Sequence, residues 1–164
     1  MIRAAGIDFS TKAIDIVFID WDMRDLPVWW HIPLEGKTAW ERTLTISEAM
    51  PGPAHSHWDN VRVVGIESPR GHGAGRLYKV QGAILARLPK RLIPQDVVEY
   101  TPQQWRTLAG LPGNAAKTDI IKHVTADPHG AELVHYAARR HVTAKQLSDA
   151  CDAYCIARAV IAER

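Results

Sequence analysis

Two carboxylates of this chain stand at the ends of apolar runs. Asp8 follows the run AAGI and precedes two hydroxyl residues and a lysine in AAGIDFSTK, and Glu67 closes the run VRVVGIE. Each run predicts a buried strand, and neighbouring strands of an α/β sheet end at the edge where ligands usually bind. We therefore expect Asp8 and Glu67 to lie close together.

A second pair of acids lies near the C-terminus, in the segment LSDACDAYCIARAVI. Asp149 and Asp152 are three residues apart, so they share one face of the predicted helix. At about 100° per residue the same stripe carries Ile156 and Val160, which must pack against the sheet. The two acids therefore point inward, whereas an ordinary solvated pair would point away.

Four carboxylates at one sheet edge repel one another, by roughly 4 kcal/mol per pair at ~4 Å and an effective dielectric constant near 20. Such a cluster is either partly protonated or holds cations. Oxygen ligands suit Mg²⁺ or Mn²⁺, and two such ions about 4 Å apart serve in-line displacement at a phosphodiester. Singly, each acid also has a structural explanation: Asp8 could cap a turn, Glu67 could pair with Arg70, and Asp149 could cap the last helix.

The predicted elements suit a mixed sheet covered by helices. Three extended runs, separated by turn-like residues, predict an antiparallel meander, and strands alternating with helices follow it. The result is a five-stranded mixed sheet, flanked by helices, in one domain over residues 1–164. The predicted strands cover 2–9, 13–20, 27–33, 61–68 and 96–100; the predicted helices cover 38–49, 75–88, a segment after Pro102, 115–125 and two further segments before the C-terminus.

The composition indicates a soluble chain with one core. With 164 residues it buries about 70% of its unfolded surface, so it needs no disulfide or metal to fold. The net charge of +2 permits a polyanionic partner without requiring one. Cys151 and Cys155 read as buried thiols in a reducing compartment. Neither a signal peptide nor a membrane span is predicted, which favours a cytoplasmic location.

The acidic motifs resemble those of a known family. In the RuvC family of Holliday junction resolvases an acid ends the first strand in a GID motif, matched here by Gly6, Ile7 and Asp8. A glutamate ends the fourth strand after isoleucine, matched by Glu67, and a C-terminal helix carries the pattern D-A-x-D-A, matched at 149–153. Between them the family has a proline, a basic residue and G-x-A-x-K, matched by Pro102, Arg106 and the segment GNAAK at 113–117.

This resemblance implies an RNase H-like fold and a homodimeric endonuclease that cleaves Holliday junctions and other branched DNA, including flaps and replication forks, in recombination or repair. It implies hydrolysis with two Mg²⁺ ions per active site, for which Mn²⁺ can substitute, leaving 5′-phosphate and 3′-hydroxyl ends. The host would be a bacterium or a phage. The implied catalytic residues are Asp8, Glu67, Asp149, Asp152 and Lys117, of which the four acids are the metal ligands.

The sequence also departs from the family pattern. Phe9 and Ser10 stand where the family commonly has proline and glycine, and the segment GLPG at 110–113 is one residue longer than usual. Resembling resolvases carry an aromatic wedge shortly after the strand-end glutamate, but SPRGHGAGR contains no Phe, Tyr or Trp. His72 carries the one planar ring in that segment, and we predict that this ring stacks on an exposed DNA base.

A basic surface is predicted next to Glu67. Residues 68–95 contain no acid and six basic residues, which would hold a phosphate backbone or, in the simpler interpretation, form a solvated face. An apolar stripe of the helix over 75–88, formed by Leu77, Val80, Ile84 and Leu88, could form the twofold interface that the resemblance implies. The predicted DNA-binding residues are Arg70, His72, Arg76, Lys79, Arg87, Arg106 and Lys117.

Three alternatives remain open on the sequence. The same fold could cut structured RNA or flaps. A catalytically silent module could bind branched DNA, although four intact acids argue against it. The segment GIDFST also resembles the phosphate-binding turn of sugar kinases and actin-like ATPases, but those proteins need two lobes and this chain is long enough for only one.

Overall fold

The computed structural model describes residues 3–71, 74–93 and 96–164. Within them a mixed sheet has the strand order β3-β2-β1-β4-β5. Strands β1, β2 and β3 pair antiparallel, whereas β4 pairs parallel to both β1 and β5. The predicted meander with added parallel strands is therefore confirmed. The strands are β1 (Arg3–Phe9), β2 (Ala13–Asp20), β3 (Val28–Pro33), β4 (Val61–Glu67) and β5 (Val97–Tyr100).

Helices flank this sheet, and their first residues follow local capping rules. Thr38, Thr101 and Thr143 each accept a hydrogen bond from the backbone three residues on, in a capping box. Because Thr143 caps the last helix, Asp149 is not its cap. The helices are α1 (Ala39–Ala49), α2 (Ala74–Arg87), α3 (Pro102–Leu108), α4 (Lys117–Ala126), α5 (Pro128–Arg139) and α6 (Ala144–Glu163), with 3₁₀ turns at Ser56–Trp58 and Lys90–Leu92.

The sheet separates two hydrophobic clusters. Side chains alternate along each strand, so Val17 and Ile19 pack toward α6 while Ile16 and Phe18 pack toward α1 and α2. The neighbouring residues Trp29 and Trp30 fall on opposite faces in the same way. Cys151 and Cys155 are buried as free thiols, as predicted.

Two glycines let α6 lie directly on the centre of the sheet. Gly6 of β1 and Gly65 of β4 are cross-strand partners. A Cβ atom on Gly6 would come within 2.0 Å of the carbonyl oxygen of Ala153, and one on Gly65 within 2.5 Å of Val160 Cγ2. Only a residue without a side chain permits this approach, which carries the inward face of α6 over the ends of β1 and β4.

The apolar stripe of α2 is used inside the chain. Val80, Ile84 and Leu88 are at most 2% exposed and belong to the cluster under α1 and α2. The prediction that the stripe forms a dimer interface is therefore wrong for these three residues, because the core already covers them; Leu77, its fourth member, is half-buried. Within the described ranges, no helix is both long and apolar enough to cross a membrane.

Candidate active site

The four predicted acids converge at one edge of the sheet. Asp8 and Glu67 follow the cross-strand pair Ile7 and Ile66 at the ends of parallel neighbours, and α6 brings Asp149 and Asp152 over them. Burial raises the pKa of Asp8 well above its usual value, and the charges of Asp152, Glu67 and Asp149 raise it further. The sequence prediction of a four-carboxylate cluster thus agrees with the electrostatic coupling of these side chains.

Three of the acids have identified partners. Glu67 Oε2 accepts a hydrogen bond of 2.9 Å from the indole Nε1 of Trp105. Asp152 Oδ2 accepts from Lys117 Nζ, and Asp149 Oδ2 accepts from Lys145 Nζ one turn earlier on α6. The buried Asp152 Oδ1 has no hydrogen-bond partner within the described part of the chain.

Burial dominates the protonation of this cluster. It raises the pKa of Glu67, although the hydrogen bond from Trp105 opposes it, and it raises the pKa of Asp152 despite the ion pair with Lys117. Burial acts against the charge of Lys117, but the carboxylates of Asp152, Asp8 and Asp149 together outweigh it and raise the pKa of Lys117. The four acids outnumber the two lysines that pair with them, so full ionisation of the cluster would leave negative charge that these lysines do not neutralise.

The donor set fits a hard divalent cation. As the side chains stand, no three Asp, Glu, His or Cys residues of the described ranges are close enough to hold a metal ion, and lysines occupy one oxygen of Asp149 and one of Asp152. The cluster nevertheless consists of carboxylate oxygens, which Mg²⁺ and Mn²⁺ prefer. The unpartnered Asp152 Oδ1 is a buried acceptor of the kind that a cation would satisfy.

Two of the predicted DNA-binding arginines lie beside the acids. Arg106 lies 5.0 Å from the ring of Trp105, donates to the Gly113 carbonyl and interacts electrostatically with Glu67 and Asp152. Exposed Arg70 helps to line a small cavity of about 170 Å³ next to Glu67. Two positively charged side chains therefore lie beside the acidic cluster.

The remaining predicted cations divide into exposed and engaged groups. Arg76 and Lys79 of α2 are exposed. Arg87 instead donates a hydrogen bond of 3.2 Å to the carbonyl of Met50 at the end of α1, so it stabilises the packing of α1 and does not extend the exposed pair. His72 lies outside the described residues.

Solved structures similar to this chain include RuvC and a mitochondrial Holliday junction resolvase. Thermus thermophilus RuvC in complex with a Holliday junction substrate superposes with a TM-score of 0.64 at 17% identity, covering 97% of this chain and 92% of that chain. A second Thermus thermophilus RuvC structure has a TM-score of 0.59 at 17% identity, covering 96% and 92%.

The yeast mitochondrial Holliday junction resolvase Ydc2 has a TM-score of 0.56 at 13% identity, covering 98% of this chain and 78% of that chain. This chain has the RuvC fold. It is an RNase H-like fold, as the motifs implied. By sequence alone, neither a protein-family model nor a curated protein matches the chain.

Within this RuvC fold the structure adds residues that the sequence prediction missed. Asp15 of β2 is the cross-strand partner of Asp8 and of His31. It is 2% exposed, and its Oδ1 is within 2.9 Å of both Trp29 Nε1 and His31 Nδ1. One signal was available: a carboxylate inside the apolar alternation AIDIVFID requires a buried partner.

Trp105 was also missed as a partner of Glu67. Its fully buried side chain looked like ordinary core in the sequence, because a tryptophan gives no indication of where its N–H group points. The hydrogen bond to Glu67 spans 38 positions, so it depends on how α3 packs beside β4.

Proposed function

We propose that this chain is a metal-dependent endonuclease that hydrolyses phosphodiester bonds in Holliday junctions and other branched DNA, in recombination or repair. The supporting observation is the electrostatic coupling of Asp8 to the other three carboxylates, together with the buried Asp152 Oδ1, which has no hydrogen-bond partner within the described part of the chain. The RuvC fold supports the substrate class, because one of its representatives was solved with a Holliday junction substrate.

The four acids Asp8, Glu67, Asp149 and Asp152 would hold Mg²⁺, with Mn²⁺ as a substitute and two ions per site. Bound ions of this kind activate the attacking water and stabilise the leaving oxygen in an in-line displacement. The cluster is well suited to bind them because its own carboxylates repel one another when they are ionised.

The other residues of the site position and balance charge. Trp105 holds one oxygen of Glu67 and thereby orients the carboxylate. Lys117 neutralises Asp152 while no cation is bound, and its ammonium group can donate hydrogen bonds to phosphate oxygens once a cation has replaced it. Arg106, beside the same acids, adds positive charge where a phosphodiester would lie.

Exposed cations beyond the acids would hold the DNA backbone. Arg70 lines the cavity next to Glu67, and Arg76 and Lys79 are exposed on α2, the next helix along the chain. Contacts to phosphates carry no sequence information but position the duplex and make binding sensitive to salt.

We also propose that the active form is a homodimer, which would present two sites to opposite strands. Since the buried stripe of α2 is excluded, the contact would use the exposed face of that helix, where Tyr78 is 53% exposed. Light scattering should give the mass of a dimer for wild type and of a monomer for Tyr78→Glu. A wild-type monomer at all concentrations would contradict this assignment.

The test of the proposed function is cleavage by neutral variants. Asp8→Asn, Glu67→Gln, Asp149→Asn and Asp152→Asn should each abolish Mg²⁺-dependent nicking of a labelled four-way junction while binding of the junction is retained. Exposed Asp59, outside the cluster, serves as the control, and Asp59→Asn should cut at the wild-type rate.

The same assay separates the alternatives. Nicking by two or more of the four variants at the wild-type rate would show that the acids are not the active site. A protein that binds junctions but never nicks them would be a silent DNA-binding module. Four-way, three-way, flap and linear DNA, compared with structured RNA under one set of conditions, assign the substrate class.

A further inference from the structure

A second cavity lies along the outer edge of β3, outside the acidic cluster. It has a volume of about 620 Å³, within the range of small-ligand sites. Its lining combines rings with cationic and polar groups, which is unlike an apolar packing defect. The lining residues that matter here are Trp30, His31, His55, His57, Tyr136 and Arg140.

One wall of this cavity is built from flat rings. The ring centroid of Trp30 lies 4.9 Å from that of His55 and 4.8 Å from that of His57. Trp30 is anchored from behind by an edge-on contact with buried Phe18. The rings are thus held in place by the core while they line an open cavity.

A cation and a second ring stand in the same lining. Tyr136 is 38% exposed, and the guanidinium carbon of Arg140 lies 5.0 Å from its ring centroid. A guanidinium group stacked on an aromatic ring keeps its N–H groups available for phosphate oxygens. Rings for a base and a guanidinium group for a phosphate are the two components of nucleotide recognition.

The cavity adjoins the candidate active site. His31, in its lining, lies within 2.9 Å of Asp15, and Asp15 is the cross-strand partner of Asp8. Asp15 also interacts electrostatically with Asp149. If a phosphate of a DNA strand lies at the four acids, the neighbouring nucleotide of that DNA strand can therefore reach the cavity.

The edge of β3 contributes backbone groups to the same place. Among the described strands, β3 pairs only with β2, so the backbone N–H and C=O groups on its outer side remain available to a ligand. Such an edge can also accept a peptide strand. The rings, the guanidinium group and the adjacent carboxylate site favour a nucleotide.

We propose that this cavity is a subsite for one unpaired nucleotide next to the cleaved phosphate, with its base against the rings and its phosphate near Arg140. The inference deepens the proposed nuclease function and rests on it. It accounts for selection of branched DNA without the aromatic wedge that the loop after Glu67 lacks, because a branch point supplies unpaired nucleotides and a linear duplex does not.

The experiment measures binding without chemistry. A duplex with one unpaired 2-aminopurine nucleotide and the same duplex with that base paired are titrated with protein in EDTA, following both affinity and 2-aminopurine fluorescence. Wild type should prefer the unpaired form and quench its fluorescence by stacking. Tyr136→Leu and Arg140→Ala should each reduce the preference about tenfold.

Matched variants separate the subsite from general effects. Tyr136→Phe keeps the ring and should keep the preference. Arg139→Ala removes an exposed cation adjacent to Arg140 but outside the cavity lining, and should leave the preference unchanged. Equal effects of Arg139→Ala and Arg140→Ala on both duplexes would overturn the subsite and indicate a general charge effect.

A direct titration distinguishes failure of the subsite from failure of the nuclease proposal. The deoxynucleoside 5′-monophosphate of 2-aminopurine should be quenched by wild type and less by Tyr136→Leu, whether or not the protein cuts DNA. Cleavage without this quenching would remove the subsite and leave the nuclease intact. A response of the β3 amide signals to an extended hexapeptide, with none to the nucleotide, would assign the edge to peptides and overturn the proposal.

Discussion

Asp8 is the residue at which the electrostatic conflict of the site is greatest. Burial and three neighbouring carboxylates all raise its pKa, and Lys117 acts in the other direction. A buried acid in this situation destabilises the metal-free fold whenever it is ionised, and a bound cation relieves the conflict. In the proposed nuclease, this conflict would favour metal binding and lower the stability of the metal-free protein.

Asp8→Asn should therefore stabilise the protein in EDTA near neutral pH. Because the folded-state pKa of Asp8 is raised, its contribution to stability is fully present below the unfolded pKa of about 3.9 and is lost as the pH rises through the folded value. Asparagine stays neutral, so the variant should be more stable than wild type at pH 7. The difference should shrink as the pH falls toward about 4.

Denaturant unfolding at several pH values measures this difference. Asp59→Asn changes an exposed acid and should give no comparable gain at any pH. An Asp8→Asn variant that is less stable than wild type at pH 7 would show that the carboxylate has a structural partner, and the electrostatic interpretation would fail.

In the proposed nuclease Trp105 is a positioning residue, since it would act through its hydrogen bond to Glu67. Trp105→Phe removes the N–H donor but keeps an aromatic ring, so Glu67 should be less well oriented. Loss of such a supporting hydrogen bond typically costs about 10- to 100-fold in metal affinity or activity. We expect about a tenfold rise in the Mg²⁺ concentration needed for half-maximal nicking, with binding of the junction unchanged.

The matched control is Trp58→Phe. Trp58 is also fully buried, but it packs in the opposite cluster and donates to the carbonyl of Pro51. Both variants remove the same atoms from a buried site, so both should lower the melting temperature. Only Trp105→Phe should shift the Mg²⁺ dependence; an equal shift in the two variants would mean that lost packing, and not Glu67, is responsible.

At the scale of elements, the contact between α6 and the sheet decides whether the acids can meet. Asp149 and Asp152 belong to a helix, whereas Asp8 and Glu67 belong to strands, so the distance between the pairs depends on how closely the helix packs. Gly6 and Gly65 set that distance, because side chains there would overlap α6. The glycine of the GID motif is thus explained by packing.

Gly6→Ala should displace α6 and separate the two pairs of acids. The added Cβ would lie 2.0 Å from the Ala153 carbonyl oxygen, and overpacking of this kind costs about 1 to 3 kcal/mol or more. We expect a lower melting temperature and, in the fraction that folds, loss of the Mg²⁺-dependent rise in stability.

Gly82→Ala provides the comparison within a helix. A methyl group on Gly82, which is exposed in α2, would meet no atom of the described residues within 4 Å. That substitution should stabilise the protein by about 0.5 to 1 kcal/mol, since alanine is the better helix former. Tolerance of alanine at Gly6, with an unchanged Mg²⁺ response, would contradict the proposed role of the close contact.

At the scale of the whole molecule, charge is distributed unevenly around a nearly neutral total. The net charge is only +2, yet residues 68–95 contain no acid, and the acids of the site are concentrated at the ends of β1 and β4. A polyanion would meet the basic surface first and bring one phosphate to the carboxylates. Binding should therefore depend on salt even though the overall charge is small.

Arg76→Ala and Lys79→Ala should each weaken binding to all branched substrates alike. Each should reduce the slope of log affinity against log salt by about one unit, because one phosphate contact is lost. Arg87→Ala is the control, since Arg87 is engaged with Met50; it should lower stability and leave the slope unchanged. If Arg76→Ala and Lys79→Ala both kept the wild-type slope, as expected for Arg87→Ala, Arg76 and Lys79 of α2 would be excluded from the DNA-binding surface.

The sequence by itself determined the elements and the identity of the acids. Alternating and continuous apolar runs predicted the strands, and helical periodicity predicted the helices, because these signals are local in the chain. Asp8 and Glu67 were identifiable because they end such runs, and Asp152 because it shares a stripe with Ile156 and Val160.

Only the tertiary structure decided which partner each side chain has. The hydrogen bonds of Glu67 with Trp105 and of Arg87 with Met50 span 38 and 37 positions, and no periodicity specifies such pairs. An amphipathic stripe indicates that one face of a helix is buried, but it does not indicate whether the same chain or a partner covers that face. Val80 and Ile84 could therefore not be assigned to the core from the sequence. The cavity beside β3 likewise exists only because residues from distant segments, such as Trp30 and Tyr136, meet when the chain is packed.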